Sequence, residues 1–152
     1  IINEVDMEVV NQARRFLEYI GYVGYANFDL KYDPRDGKYK FFEINIRLGR
    51  SNYYVTGSGF NAVKYLIDDY IYNKEFEGLT VADKEHLFTF VPKYVIKKFV
   101  KDEELKARAM RLYKEKKVSN PILCEPDMTL KRRVYAAAYS FNQIKKFNKY
   151  YK

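Results

Sequence analysis

Glu43, Asn45 and Arg47 occupy alternate positions of the run KYKFFEINIR, residues 38–47, and Asp29 lies in the aromatic-rich run 22–31 before it. Alternate residues of a strand share a face. An acid, an amide and a guanidinium therefore project together, and Phe42, Ile44 and Ile46 are expected to point the other way, into a core. On the preceding run Asp29 shares its face with Tyr25, Asn27 and Lys31. If the two runs pair with Asp29 near Glu43, two carboxylates and an amide oxygen converge. That is a hard-oxygen donor set suited to Mg²⁺, which takes one or two carboxylates and completes its octahedron with water and phosphate oxygens. Two like charges side by side are costly without a cation between them. Arg47, one pleat on, suits bidentate contact with a phosphate, and Lys31 is placed to assist one. The competing structural reading is a solvent-facing strand on which Glu43 and Arg47 simply pair.

These residues need a hairpin to hold them. Asp33-Pro34-Arg35-Asp36-Gly37 between the runs is a turn, with Pro34 presetting φ, aspartates able to bond local backbone and Gly37 supplying a positive φ. Residues 4–20 place Val5, Val9, Val10, Ala13, Phe16, Leu17 and Ile20 at helical spacing, stopped by Gly21. Residues 48–59, LGRSNYYVTGSG, are expected as a loop carrying the polar side chains of Arg50, Ser51 and Asn52, with Thr56 and Ser58 as further hydroxyls. Helical spacing returns at 60–72. Strands are expected at Leu87–Val91 and around Tyr94–Val100, a charged helix at 102–117, and a basic, Tyr-rich helix at 129–150. Pro121 and Pro126 bracket Ile122-Leu123-Cys124. The pattern predicts an α+β fold, an antiparallel sheet with flanking helices and a helical C-terminal extension. Its first part, 1–75, holds the metal and phosphate core, and 76–152 completes or extends the domain.

With 152 residues, 47% hydrophobic and 32% charged, the chain suits one folded domain and not a disordered one. No apolar run approaches the ~20 residues that span a bilayer and no signal-peptide pattern is present, and a single cysteine suits the cytoplasm, where the protein is expected. One cysteine, Cys124, excludes an internal disulfide, and with the single His86 it cannot build a zinc site. Cys124 is expected as a small core residue and His86 as a surface one. The net charge of +8 attracts anions. It leaves two alternatives open, a basic aromatic-rich nucleic-acid-binding module and a non-catalytic interaction domain.

The run GYANFDLKYDPRDGKYKFFEINIRLGRS resembles the closing signature of the ATP-grasp superfamily: an aspartate on one strand, a Gly-containing turn, then a strand ending in Glu-x-Asn-x-Arg. The resemblance covers roughly residues 20–60. It implies Asp29, Glu43 and Asn45 as ligands of Mg²⁺ bridging ATP phosphates, with Asn45 and Lys31 at the nucleotide and Arg47 as the catalytic group stabilising the transferred phosphoryl. Ile46 stands where the family often has proline, which removes no ligand. From Phe90-Val91-Pro92 onward the chain is similar to bacterial carboxylate–amine ligases of the D-aspartate ligase type, which join a D-amino acid to the lysine of a peptidoglycan precursor. The implied partners are therefore small-molecule carboxylate and amine substrates, without stable nucleic acid. The chain opens on Ile1 and lacks the phosphate-binding lysines, glycine-rich flap and adenine-binding strand that precede this signature in the family. It is thus expected to be part of a longer protein whose N-terminal portion completes the site, and to be inactive by itself.

Overall fold

The structure, a computed structural model, describes residues 1–49, 51–123 and 128–151. Helix α1, Met7–Tyr19, starts at Asp6, whose Oδ1 accepts from the amides of Glu8 at 2.9 Å and Val9 at 3.4 Å. Capping of this kind satisfies donors that the first turn leaves without partners. Strands β1, Asn27–Asp33, and β2, Lys38–Asn45, form an antiparallel pair. The first strand begins five residues later than its composition suggested. Ahead of it the Tyr22 hydroxyl donates to the Tyr25 carbonyl at 2.8 Å, which holds that stretch as a loop. At the turn, Asp33 accepts from the Arg35 amide and guanidinium, and Gly37 takes φ +69°. The Arg35 guanidinium holds the Asp33 carboxyl below its usual range, and Lys40 does the same for Asp36.

The pairing is not a plain ladder. Its register shifts between Asp29 and Leu30, so that Asp29 faces Glu43 while Leu30 faces Phe41, leaving Phe42 as the extra residue of a bulge. By simple alternation Phe41 would join Glu43 on the polar face. The bulge returns it to the apolar face, where its ring meets Phe28 edge-on at 5.4 Å. Phe28 in turn meets Phe16 of α1 at 6.5 Å.

The apolar face is less covered than expected. Phe42 is 68% exposed and Ile46 71%, and Ile44 is exposed as well. The reason is geometric: α1 reaches the sheet at Phe28 and leaves beside it a hollow of about 360 Å³ between Ala13, Phe16, Phe41 and Ile44. The core lies elsewhere, around Leu87, Ile96, Ala109 and Leu112.

Within the expected loop, Tyr53–Gly57 form a short helix, α2. Helix α3, Ala62–Tyr70, follows an Asn61 cap, and buries Asp68 between Lys64 and Lys74 at 2.6 and 2.7 Å. Strand β3 is only Leu87–Phe88; it pairs in parallel with β4, Val118–Ser119, and carries an antiparallel bridge to Ile2. The strand expected around Tyr94–Val100 is instead helix α4, Lys93–Phe99. Val95 and Ile96 are both buried. A strand would send these neighbours to opposite faces, whereas a helix sets them about 100° apart, with Ile96 in the core cluster, and Pro92 presets the entry. Helix α5, Glu103–Lys114, closes the core with Ala109 and Leu112. A 3₁₀ turn, Pro121–Leu123, precedes the long helix α6, Leu130–Tyr150, capped by Thr129. Cys124 lies outside the described residues. The fold is α+β, with its main antiparallel pair at the hairpin.

Candidate functional site

The hairpin register sets Asp29 directly opposite Glu43 and Asn27 opposite Asn45. Along β2 the polar side chains form a chain of hydrogen bonds. Asn45 Nδ2 donates to Glu43 Oε1 at 3.0 Å, and Arg47 Nη2 donates to Asn45 Oδ1 at 3.2 Å. Arg47 Nη1 also reaches the Leu48 carbonyl at 3.4 Å. Arg47 therefore does not neutralise Glu43, contrary to the simple surface-pair reading. Neither Asp29 nor Glu43 enters an ion pair among the described residues. Asp29 and Asn45 are half-buried, and Glu43 and Arg47 open to solvent.

This donor set can do a limited range of things. No cluster of three or more His, Cys, Asp or Glu able to hold a metal exists among the described residues. A cation here would have two carboxylates and an amide oxygen, with its remaining positions left to water or phosphate. That composition fits Mg²⁺ at a phosphate site and does not fit an all-protein cage. Arg47 spends two of its donors on Asn45 and Leu48 and keeps others for an anion.

Lys31 lies opposite Lys40 and is exposed, without an ion pair among the described residues. Lys40 is drawn instead to Asp36 in the turn. Beyond the strand, Gly49 brings the loop in close. A methyl group there would lie 2.9 Å from Asn52 Oδ1 and 3.5 Å from Asn27 Nδ2, so Asn52 folds back toward the strand ends. Ser51, half-buried, accepts from the Tyr54 amide through its carbonyl and so begins α2. Arg50 lies outside the described residues. Ser58 is buried, its hydroxyl spent on the Val55 carbonyl at 2.8 Å, which removes it from any substrate.

Two features escaped the sequence reading. Asn27 sits at the junction of Asn45, Gly49 and Asn52; alternation along β1 put it on the right face, and only the register gives its neighbours. His86, expected at the surface, is 8% exposed. It lies beneath α2, where Gly57 approaches so closely that a methyl group would be 2.7 Å from His86 Nε2 and closer still to Ser119 Oγ. Neither of those buried atoms has a hydrogen-bond partner among the described residues. Burial also lowers the His86 pKa. Together with the Tyr54–Phe88 ring contact at 6.4 Å, this is where the site loop is fastened to the core.

Comparison with known proteins places the same segment in context. Residues 2–67 match the family of the carbamoyl-phosphate synthase L chain, ATP binding domain. Over 155 aligned positions the chain is 37% identical to a D-aspartate ligase of Enterococcus faecium (strain Aus0004), covering 99% of this chain. The chain spans 37% of that relative's length. No solved structure matches.

Proposed function

We propose that the chain is part of an ATP-grasp enzyme, as the match of residues 2–67 to an ATP-binding domain family and the likeness to a D-aspartate ligase support, and that it supplies the metal- and phosphate-binding hairpin of an ATP-dependent carboxylate–amine ligase. The observation that carries this reading is the pairing of Asp29 with Glu43, two carboxylates with no cation partner among the described residues, beside an Asn45–Arg47 relay. Such an arrangement is unfavourable by itself and becomes favourable when a divalent cation and phosphate oxygens enter. By this reading residues 1–75 form the core of the site and 76–152 the part that supports it.

Asp29, Glu43 and Asn45 would hold Mg²⁺, which when bound withdraws charge from the phosphate oxygens. Arg47 faces the transferred phosphoryl, and Lys31 and Asn45 the nucleotide phosphates. A substrate carboxylate oxygen attacks the γ-phosphorus and ADP leaves; the amine then attacks the acyl carbon and phosphate leaves, with the amine proton passing to solvent. The hairpin's share is positioning and charge stabilisation, which reside in kcat as well as in affinity. Arg50, Ser51 and Asn52 would line the carboxylate side. The 37% identity to a D-aspartate ligase supports D-aspartate as the acid; a peptidoglycan precursor amine as the acceptor rests on the resemblance of the sequence alone.

The test is calorimetric titration of Mg²⁺–ATP into the intact protein, wild type against Glu43→Gln/Asn45→Ala, with phosphate release measured on D-aspartate plus an amine acceptor. Binding lost in the double variant, and turnover lowered about 10²-fold or more by Glu43→Gln alone, are the expected results. A folded intact protein that binds no nucleotide, or full turnover in Glu43→Gln, would remove the assignment.

A further inference from the structure

Helix α6 carries Lys131, Arg132, Arg133, Lys145, Lys146 and Lys149 and neither aspartate nor glutamate. Its apolar contacts with the rest of the molecule centre on one side, where Ala136 is buried and Phe147 meets Phe99 at 5.6 Å, while Asn148, two turns beyond Phe141 on the side of Leu130, accepts from Lys98 at 2.6 Å. Turned away from Ala136 and Phe147 is a second apolar stripe, Leu130, Val134, Ala138 and Phe141, spaced to share one face. Leu130 is 79% exposed, Val134 64% and Phe141 70%. Lys131 borders the stripe near its start, and Lys145 continues it one turn beyond Phe141. Lys131, Arg133, Lys145 and Lys146 enter no ion pair among the described residues.

We infer that this face of α6 docks on an anionic lipid surface, lying in the interface with Leu130, Val134 and Phe141 among the acyl chains. The charge selects the occupant. Cations without acidic partners, set around an exposed aliphatic stripe, match a surface that is anionic outside and apolar just beneath. A nucleic acid would satisfy the lysines and stack on the exposed Phe141 and Tyr135, but it would leave Leu130 and Val134 facing water, which a lipid surface does not. A second copy meeting this face would bring cation against cation in chains of net charge +8 each. No described helix, α6 included, is long and apolar enough to cross a membrane.

The experiment is co-sedimentation of the intact protein with vesicles of phosphatidylcholine, with and without phosphatidylglycerol. Alongside it, a Phe141→Trp variant, read as the difference from the wild-type protein, reports the stripe's surroundings by fluorescence. Expected are binding only to the phosphatidylglycerol vesicles, a blue shift of the introduced indole's emission on binding, and at least about tenfold weaker binding in Lys145→Glu/Lys146→Glu. Phe141→Ser, with unchanged circular dichroism, should weaken binding as well. Four results would overturn the inference. They are no vesicle binding by folded protein, binding unaffected by Phe141→Ser, emission already blue-shifted without vesicles because another part of the protein or a second copy covers the stripe, and equal affinity for a single-stranded polynucleotide.

Discussion

Gly57→Ala tests how the site loop is fastened. Gly57 ends α2, and the added methyl would lie 2.8 Å from Ser119 Cβ and 2.7 Å from His86 Nε2, with Ser119 Oγ closer still. The hydroxyl can rotate away, but Ser119 Cβ sits on a strand and cannot. Overpacking of this kind costs about 1–3 kcal/mol. Against it stands the better helix propensity of alanine, at most about 1 kcal/mol and less at a helix end. The balance is a loss of about 1–2 kcal/mol, which for a chain of this size lowers Tm by about 2–8 °C. Thermal unfolding followed by circular dichroism measures it. Because Ser119 supplies two of the three close atoms and His86 the third, Gly57→Ala/Ser119→Gly should be more stable than the sum of the two single effects, with the His86 contact remaining. An unchanged or raised Tm in Gly57→Ala, or strict additivity in the double variant, would refute the close approach as the tie between loop and core.

Two further outcomes rest on titrating groups. His86 has a folded pKa held below its ordinary value by burial, so its neutral form favours folding. That contribution is present above about pH 6.5 and is lost as pH falls through the lower folded value; His86→Gln should flatten this part of a Tm-against-pH curve. Asp68 has its pKa lowered first by Lys64 and then by Lys74. Its contribution is present above about pH 4 and disappears as pH falls through the depressed value. Asp68→Asn should therefore destabilise at pH 7 and narrow its deficit in acid, as read by urea unfolding at both pH values.

The hairpin was legible because β strands announce themselves by period two and because the turn residues each have a mechanism. Glu43, Asn45 and Arg47 fall on one face for that reason alone. What alternation could not give was the bulge at Phe42, since an extra residue leaves no local sign where Phe41, Phe42 and Ile44 are all large and apolar. The same limit explains α4: Val95 and Ile96 favour strands by shape, and only the position of the core at Leu87 and Leu112 decides for a helix. His86 was misplaced because a lone polar residue between Glu85 and Leu87 reads as surface. Its burial comes from residues far away in the chain, Asn3 on its amide at 2.6 Å and Gly57 above its ring.

The bulge gives the hairpin two independent phases. On one side the turn, clasped by Asp33–Arg35 and Asp36–Lys40, fixes which residues of β1 and β2 meet near Lys31. On the other, Asp29–Glu43 and Asn27–Asn45 keep their own alignment. Phe42 works like the slack link between two gears. A residue gained or lost in the turn would change which side chain is surplus, while the two carboxylates stay face to face.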